Sequence, residues 1–175
     1  MSQELTLPWG KEKLTLSLPD HWKIIGNYEP ASLPPVADPA AEVKRSLQQP
    51  IGSARLAERL RPGMKITVVI DDISRPTPVS LIYPLVFEEI HQAGISAESI
   101  TIVPAIGLHR GMTEQEIRER AGINPNIPLQ FVNPDCDDLS TMVNLGTTSR
   151  GTPVWINRQV AEADFIISIG CIEPH

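Results

Sequence analysis

Cysteine is scarce: the chain holds two in 175 residues, Cys136 and Cys171. Their separation matches no metal-binding spacing, and a single pair makes no disulfide framework. They are expected to be two half-buried thiols of a cytoplasmic protein. No apolar run approaches the ~18 residues that a helix needs to span a bilayer, so no membrane partner is expected. The opening MSQELTLPWGKEK lacks a basic stretch followed by an apolar one, and no signal peptide is expected from it. Blocks of lysine and arginine are also missing, and the net charge is −6. A nucleic-acid partner therefore has no electrostatic support. There is no internal repeat and no low-complexity segment.

What is present suits a globular chain. The hydrophobic share is 41% and the charged share 21%, both ordinary for a packed domain. The length predicts one domain, or one and a small appendage, with a real core, since a domain of ~150 residues buries roughly 68–70% of its unfolded surface. Proline, 17 of 175 residues, is the compositional outlier and falls mostly in connecting segments.

The chain alternates between strand and helix patterns. LTLPWGKEKLTLSLP (5–19) predicts a small N-terminal β-hairpin around a glycine-containing turn. Residues 27–38 are polar and proline-rich and predict a loop. Helices are expected over 38–50, with Asp38 as cap and a proline at the first helical position, and over 52–63, 78–94, 113–122 and 157–163. Pro84 either kinks the third of these or marks a late start. Strands are expected over 65–70, 99–107, 127–133 and 164–170, and a second hairpin over 140–157. The Val- and Ile-rich strands do not alternate, which marks burial on both faces as in a parallel sheet. The expected fold is α/β, a Rossmann-like, doubly wound and mostly parallel sheet.

Three polar motifs each follow one of these strands: DDISRPTP (71–78), GLHRGMTEQE (107–116) and CIEPH (171–175). In an open parallel sheet, ligands bind outside the carboxyl ends of the strands, so the three loops are expected to share one cleft. Arg75 offers a planar, permanently charged fork suited to a carboxylate or phosphate. Pro76 and Pro78 stiffen its loop. Asp72 could orient the guanidinium, Asp71 could finish the strand, and Ser74 and Thr77 could cap the next helix. The plain alternative is a structural turn in which Asp72 and Arg75 pair. Gly107 permits close approach of backbone to a ligand, and Thr113 with Glu116 forms a capping box. His109, held between a strand end and a capped helix, is a candidate general acid or base; a histidine bonded to loop carbonyls is the alternative. Arg110 is read as a structural or solvated cation. His21 and His91 are read as non-functional, and Trp9, Trp22 and Trp155 as packing residues. His175 follows a buried strand directly, with Glu173 beside it as a supporting partner or a surface charge.

These motifs, in this order and at these distances, resemble the N-terminal domain of the lactate racemase family, enzymes that use a nickel-pincer nucleotide. WGKEKLTLSLP, DPAAEVKRSLQQPIGSARLAERLRPGMKITVVIDD and TTSRGTPVWINRQVAEADFIISIG carry the same likeness, which covers nearly the whole of 1–175. The resemblance implies an isomerase, a racemase or epimerase of small 2-hydroxy acids. It implies that Arg75 binds the substrate carboxylate and that His109 and His175 are the paired acid/base residues. Asp72 is implied as a supporting active-site residue, and Asp72, Ser74 and Thr77 are expected to be the cofactor-binding residues. In the family a cofactor-anchoring lysine, a nickel-ligating histidine and a second α/β domain follow the segment ending in PH. No residue of 1–175 matches that lysine or that metal ligand, so the C-terminal domain is an implied partner, and the 175-residue chain alone is expected to be inactive. Two readings from other classes are a metal-dependent hydrolase with Asp71, Asp72, His109 and His175 as ligands, and a non-catalytic anion-binding partner domain.

Overall fold

The Val- and Ile-rich runs form the centre of the fold. In the computed structural model, which describes residues 3–10, 12–26, 28 and 33–172, β3 (Ile66–Asp71) lies between β4 (Ile100–Ala105) and β8 (Phe165–Ile169), and β5 (Gln130–Phe131) flanks β4. The order is β5-β4-β3-β8, and every pairing is parallel. The expected α/β sheet and N-terminal hairpin are therefore both present. Among the described residues, no helix is long and apolar enough to cross a membrane.

Alternate strand residues point to opposite faces of the sheet, and the two faces meet different helices. Ile66, Val68 and Ile70 share one core with Val79, Tyr83, Val86 and Ile90 of α3 (Val79–Gln92) and with Ile117 and Ala121 of α4 (Glu114–Ala121). Each such aliphatic side chain, fully buried, contributes about 1.5–3 kcal/mol. Thr67 faces the other way, and its hydroxyl donates to the Gln159 carbonyl at 2.8 Å. That carbonyl belongs to α5 (Arg158–Ala161). α1 (Pro39–Gln48) starts as the sequence predicts: Asp38 accepts from the Ala41 amide at 3.0 Å, and Pro39 takes the first turn. α3 runs unbroken through Pro84.

Two elements are shorter than expected. The 52–63 helix contracts to α2 (Leu56–Arg59), because Gly52 takes a positive φ of 69° and Arg55 is extended. The 127–133 strand contracts to the two residues of β5, since Pro128 has no amide to give to a ladder.

The chain divides into two units, Met1–Pro35 and Val36–His175. The first holds the antiparallel hairpin of β1 (Gln3–Trp9) and β2 (Glu12–Leu18). The second holds the sheet and a further hairpin, β6 (Met142–Thr147) with β7 (Pro153–Asn157). The tryptophans are not the packing residues expected: Trp9, Trp22 and Trp155 are 69%, 57% and 40% exposed. Trp9 and Trp155 sit on two-stranded ribbons, which have no second layer of their own to cover an aromatic ring. Both cysteines are exposed rather than half-buried, because each sits in a segment beyond its strand.

Gly122 ends α4 in the left-handed conformation, φ 65°. A Cβ there would stand 2.7 Å from the Ser80 carbonyl oxygen, on α3. Gly122→Ala is therefore expected to lower stability by roughly 2 kcal/mol or more, combining the backbone penalty and the clash. Urea unfolding of the two forms measures it.

Candidate active site

The three strands that carry the motifs end level with one another. In the ladder Asp71 lies opposite Ala105, and Ile70 lies opposite both Pro104 and Ile169. The loops that begin at Asp72, Ile106 and Gly170 therefore leave one edge of the sheet side by side. Glu173, Pro174 and His175 lie outside the described residues.

The first loop folds around two carboxylates with different partners. Asp71 ends β3, and its carboxylate accepts from the Thr77 hydroxyl and from the Arg120 guanidinium. Asp72 is almost fully buried. One of its oxygens accepts from the Ser74 amide at 2.9 Å and the Ser74 hydroxyl at 2.5 Å. The other meets Nδ1 of His109. Burial pushes the Asp72 carboxyl up, but the Ser74 hydroxyl, His109 and the Ser74 amide together outweigh it and hold it below the usual aspartate range. It is therefore ionised near neutral pH. Ser74 and Thr77 do not cap α3; Pro78 occupies the cap without a side-chain bond. The reason is competition, because bonds to charged carboxylates are the stronger ones. Arg75 is partly buried at the end of this turn, with its amide donating to the Asp72 carbonyl at 3.3 Å.

The second loop presents His109. Gly107, φ 57°, lets the chain turn so that the His109 amide reaches the Ile106 carbonyl at 2.8 Å. Ile106 and Met112 are buried on either side and root the loop in the core. Asn133 clamps it: its carbonyl accepts from the Met112 amide at 2.9 Å, and its amide donates to the Met112 carbonyl at 2.8 Å. The capping box is formed, with Thr113 and Glu116 exchanging bonds. Glu116 also receives a fork from Arg110, at 2.9 and 2.5 Å. Arg110 first and the Thr113 amide second bring the Glu116 carboxyl down to about 2. Arg110 is thus structural, as expected.

His109 itself remains open, with 58% of its side chain exposed. It stands between two depressions. One, of about 300 Å³, is lined by Asp72, Ile73, Ser74, His109, Arg110 and Met112. The other, of about 410 Å³, runs along Gly107, Leu108 and Gly111 to the segment from Asn133 to Asp137. With Nδ1 turned to an ionised carboxylate, the ring proton belongs on Nδ1 and Nε2 is left as the basic atom. The arrangement is an oriented proton acceptor beside a rigid turn that carries an arginine.

Among the described residues, no three His, Cys, Asp or Glu side chains are gathered so as to hold a metal ion. The hydrolase alternative needed Asp71 and Asp72 to face one ion. Their carboxylates are instead turned to separate partners, Thr77 with Arg120 and Ser74 with His109.

Two residues of the site escaped sequence reasoning, Arg120 and Asn133. Only the Asn133-Pro134 step after a strand marked the second. The sequence model described as the lactate racemase N-terminal domain matches residues 9–175.

The chain belongs to the lactate racemase family.

It is 34% identical over 173 residues to the lactate racemase of Thermoanaerobacterium thermosaccharolyticum, covering 98% of this chain and 40% of that protein. It is 35% identical over 133 residues to the lactate racemase of Lactiplantibacillus plantarum, covering 76% of this chain and 31% of that one. The chain thus spans well under half the length of these family members. The apoprotein structure of the Thermoanaerobacterium enzyme superposes with a TM-score of 0.73, covering 99% of this chain and 40% of that one. A Thermotoga maritima protein of 21% identity, TM-score 0.60, covering 74% of this chain and 32% of that one, shares the fold.

Proposed function

We propose that residues 1–175 are the N-terminal, substrate-facing domain of a longer 2-hydroxy-acid racemase or epimerase. The observation that supports this reading most directly is the His109–Asp72 contact at the carboxyl edge of the sheet, in a chain of this family. Arg75 receives the substrate carboxylate through its fork. Nε2 of His109 takes the proton of the substrate hydroxyl, and the Asp72 carboxylate stabilises the imidazolium that results. His175, six residues after the end of β8 in the sequence, is assigned as the second proton-transfer residue, serving the opposite face of the same carbon. A two-faced reaction requires two such groups, and His109 with His175, which follows β8 in the sequence, are assigned to those two duties.

The family's nickel-pincer nucleotide, when bound, supplies the acceptor for the hydrogen on Cα. The donor set described here fits the substrate side of that reaction rather than the metal side. Asp72 and Ser74 line the cleft and would face the group, whereas Thr77 is buried with its hydroxyl on Asp71 and would act through the turn. The metal ligand and the anchoring lysine are assigned to the family's C-terminal half.

The test is full-length protein loaded with the nucleotide, given single enantiomers of several 2-hydroxy acids, with chiral chromatography of the products. Interconversion of at least one pair is expected. No interconversion of any pair overturns the reading. Arg75→Lys keeps the charge and loses the fork. Its kcat/KM is expected to fall roughly tenfold to a hundredfold, the scale of ~1.5–3 kcal/mol for a charged hydrogen bond; unchanged kinetics would remove Arg75 from the substrate site.

A further inference from the structure

α4 connects the two loops that carry His109 and Asp72. This helix follows the His109 loop, and each of its ends grips a residue adjacent to one half of the His109–Asp72 pair. At its first turn, Glu116 holds Arg110, the neighbour of His109, through two bonds of 2.9 and 2.5 Å. At its last turn, Arg120 holds Asp71, the neighbour of Asp72. Its Nη2 donates to the Asp71 carboxylate, and its Nε donates to the Asp71 carbonyl at 3.4 Å. Both side chains of this second pair are only 14% exposed, so the contact is far less screened than a surface pair. Thr77 donates to the other oxygen of the same carboxylate. The Asp71 side chain therefore ties both ends of the DDISRPTP turn to the helix that carries the histidine loop.

We propose that Arg120, acting through Asp71 and Thr77, is a positioning residue that sets the distance between His109 and Asp72 and the aim of the Arg75 turn. Asp72 begins the loop after β3 and His109 lies on another loop 37 residues away, and each loop could shift on its own. A short helix pinned at both ends makes them one rigid body. Catalytic contacts tolerate little displacement, and a misplacement of about 1 Å can cost on the order of a hundredfold in rate.

The inference rests on the function proposed above for its kinetic arm but not for its structural arm. The variants are Arg120→Met and Arg120→Lys in the full-length protein, with Arg118→Met as the control. Arg118 lies on the same helix and is 19% exposed. Its bonds go to Glu114 at 2.8 Å and to the Asn124 and Ile127 carbonyls at 3.3 and 3.1 Å, away from the turn. In crystal structures of the full-length forms, the His109–Asp72 contact is expected to open in Arg120→Met and to persist in Arg118→Met. In kinetics, kcat/KM is expected to fall tenfold or more in Arg120→Met, to recover in part in Arg120→Lys, and to stay within twofold in Arg118→Met even when both Met variants melt at the same lowered temperature. Retention of the contact in Arg120→Met overturns the proposal. So does an activity loss that tracks melting temperature equally in the two Met variants. If Arg120→Met does not fold, Arg120→Lys with Thr77→Val carries the same two readouts. Should wild-type protein interconvert no hydroxy acid while the contact opens as expected, the functional reading falls and the positioning role stands.

Discussion

Replacing His109 by Ala in the full-length, cofactor-loaded protein is expected to stop net interconversion in both directions while sparing one half of the chemistry. Every complete cycle needs a group to take the hydroxyl proton on one face and a group to return it on the other. Under the assignment proposed here, His109 is the base for one enantiomer and the acid for its mirror image, and His175 has the reverse duties. With His109 gone, the enantiomer that uses His175 as its base would still lose its hydroxyl proton, and the cofactor, when bound, would supply the acceptor for the hydrogen on Cα. The other enantiomer does not start. General acid–base catalysis contributes typically ~100- to 10,000-fold, so single-turnover absorbance of the cofactor with each pure enantiomer separates the two cases. Equal slowing of both enantiomers would mean that His109 positions both substrates and is the base for neither.

The contrast between what the sequence disclosed and what it hid follows from the range of the forces involved. The ends of β3, β4 and β8 were legible because strand runs and the turn residues that stop them are local. Once a parallel sheet was inferred, the side-by-side exit of the Asp72, Ile106 and Gly170 loops followed from topology alone. The capping box at Thr113 was legible for the same reason, as a spacing of three. The partner of Asp72 was not. The sequence offers Arg75, three residues away, as a group that Asp72 could orient, and the structure turns its carboxylate to His109, 37 residues away. The hydroxyls of Ser74 and Thr77 could equally have capped the next helix, because the sequence does not say which of two partners a hydroxyl meets. Here the nearer charged acceptors won. Arg120 was hidden more deeply, since it reads as one more basic residue at the end of an exposed helix. Its burial against Asp71 depends on how α4 packs beside the sheet edge. Trp9 and Trp155 failed in the opposite sense: aromatic character predicts burial on average, but a ribbon of two strands covers only what a neighbour lets it cover.

Asp72→Asn is the substitution that separates the dyad from a merely convenient contact. The amide has the shape of the carboxylate, and its carbonyl oxygen can keep both bonds from Ser74, made here at 2.9 and 2.5 Å. Its NH₂ group then faces Nδ1 of His109. Two donors cannot share that contact, so the ring must turn Nδ1 into the acceptor and carry its proton on Nε2. The histidine remains in place with the wrong nitrogen basic. In addition, the negative charge that stabilises the imidazolium is gone. Because the Arg75 turn is intact, the loss is expected in kcat, on the order of 100- to 10,000-fold, while KM changes little. That range corresponds to roughly 2.7–5.5 kcal/mol of transition-state stabilisation. Binding of a non-reacting carboxylate such as propanoate, measured by calorimetry, is expected to stay within about threefold of wild type, which separates a tautomer effect from a collapsed site. Asp72→Ala provides the contrast. It leaves His109 free to choose its tautomer, so it is expected to retain more activity than Asp72→Asn despite removing more atoms. If the Asn variant is the more active of the two, the carboxylate acts by charge or packing alone, and the orientation of His109 must come from another group.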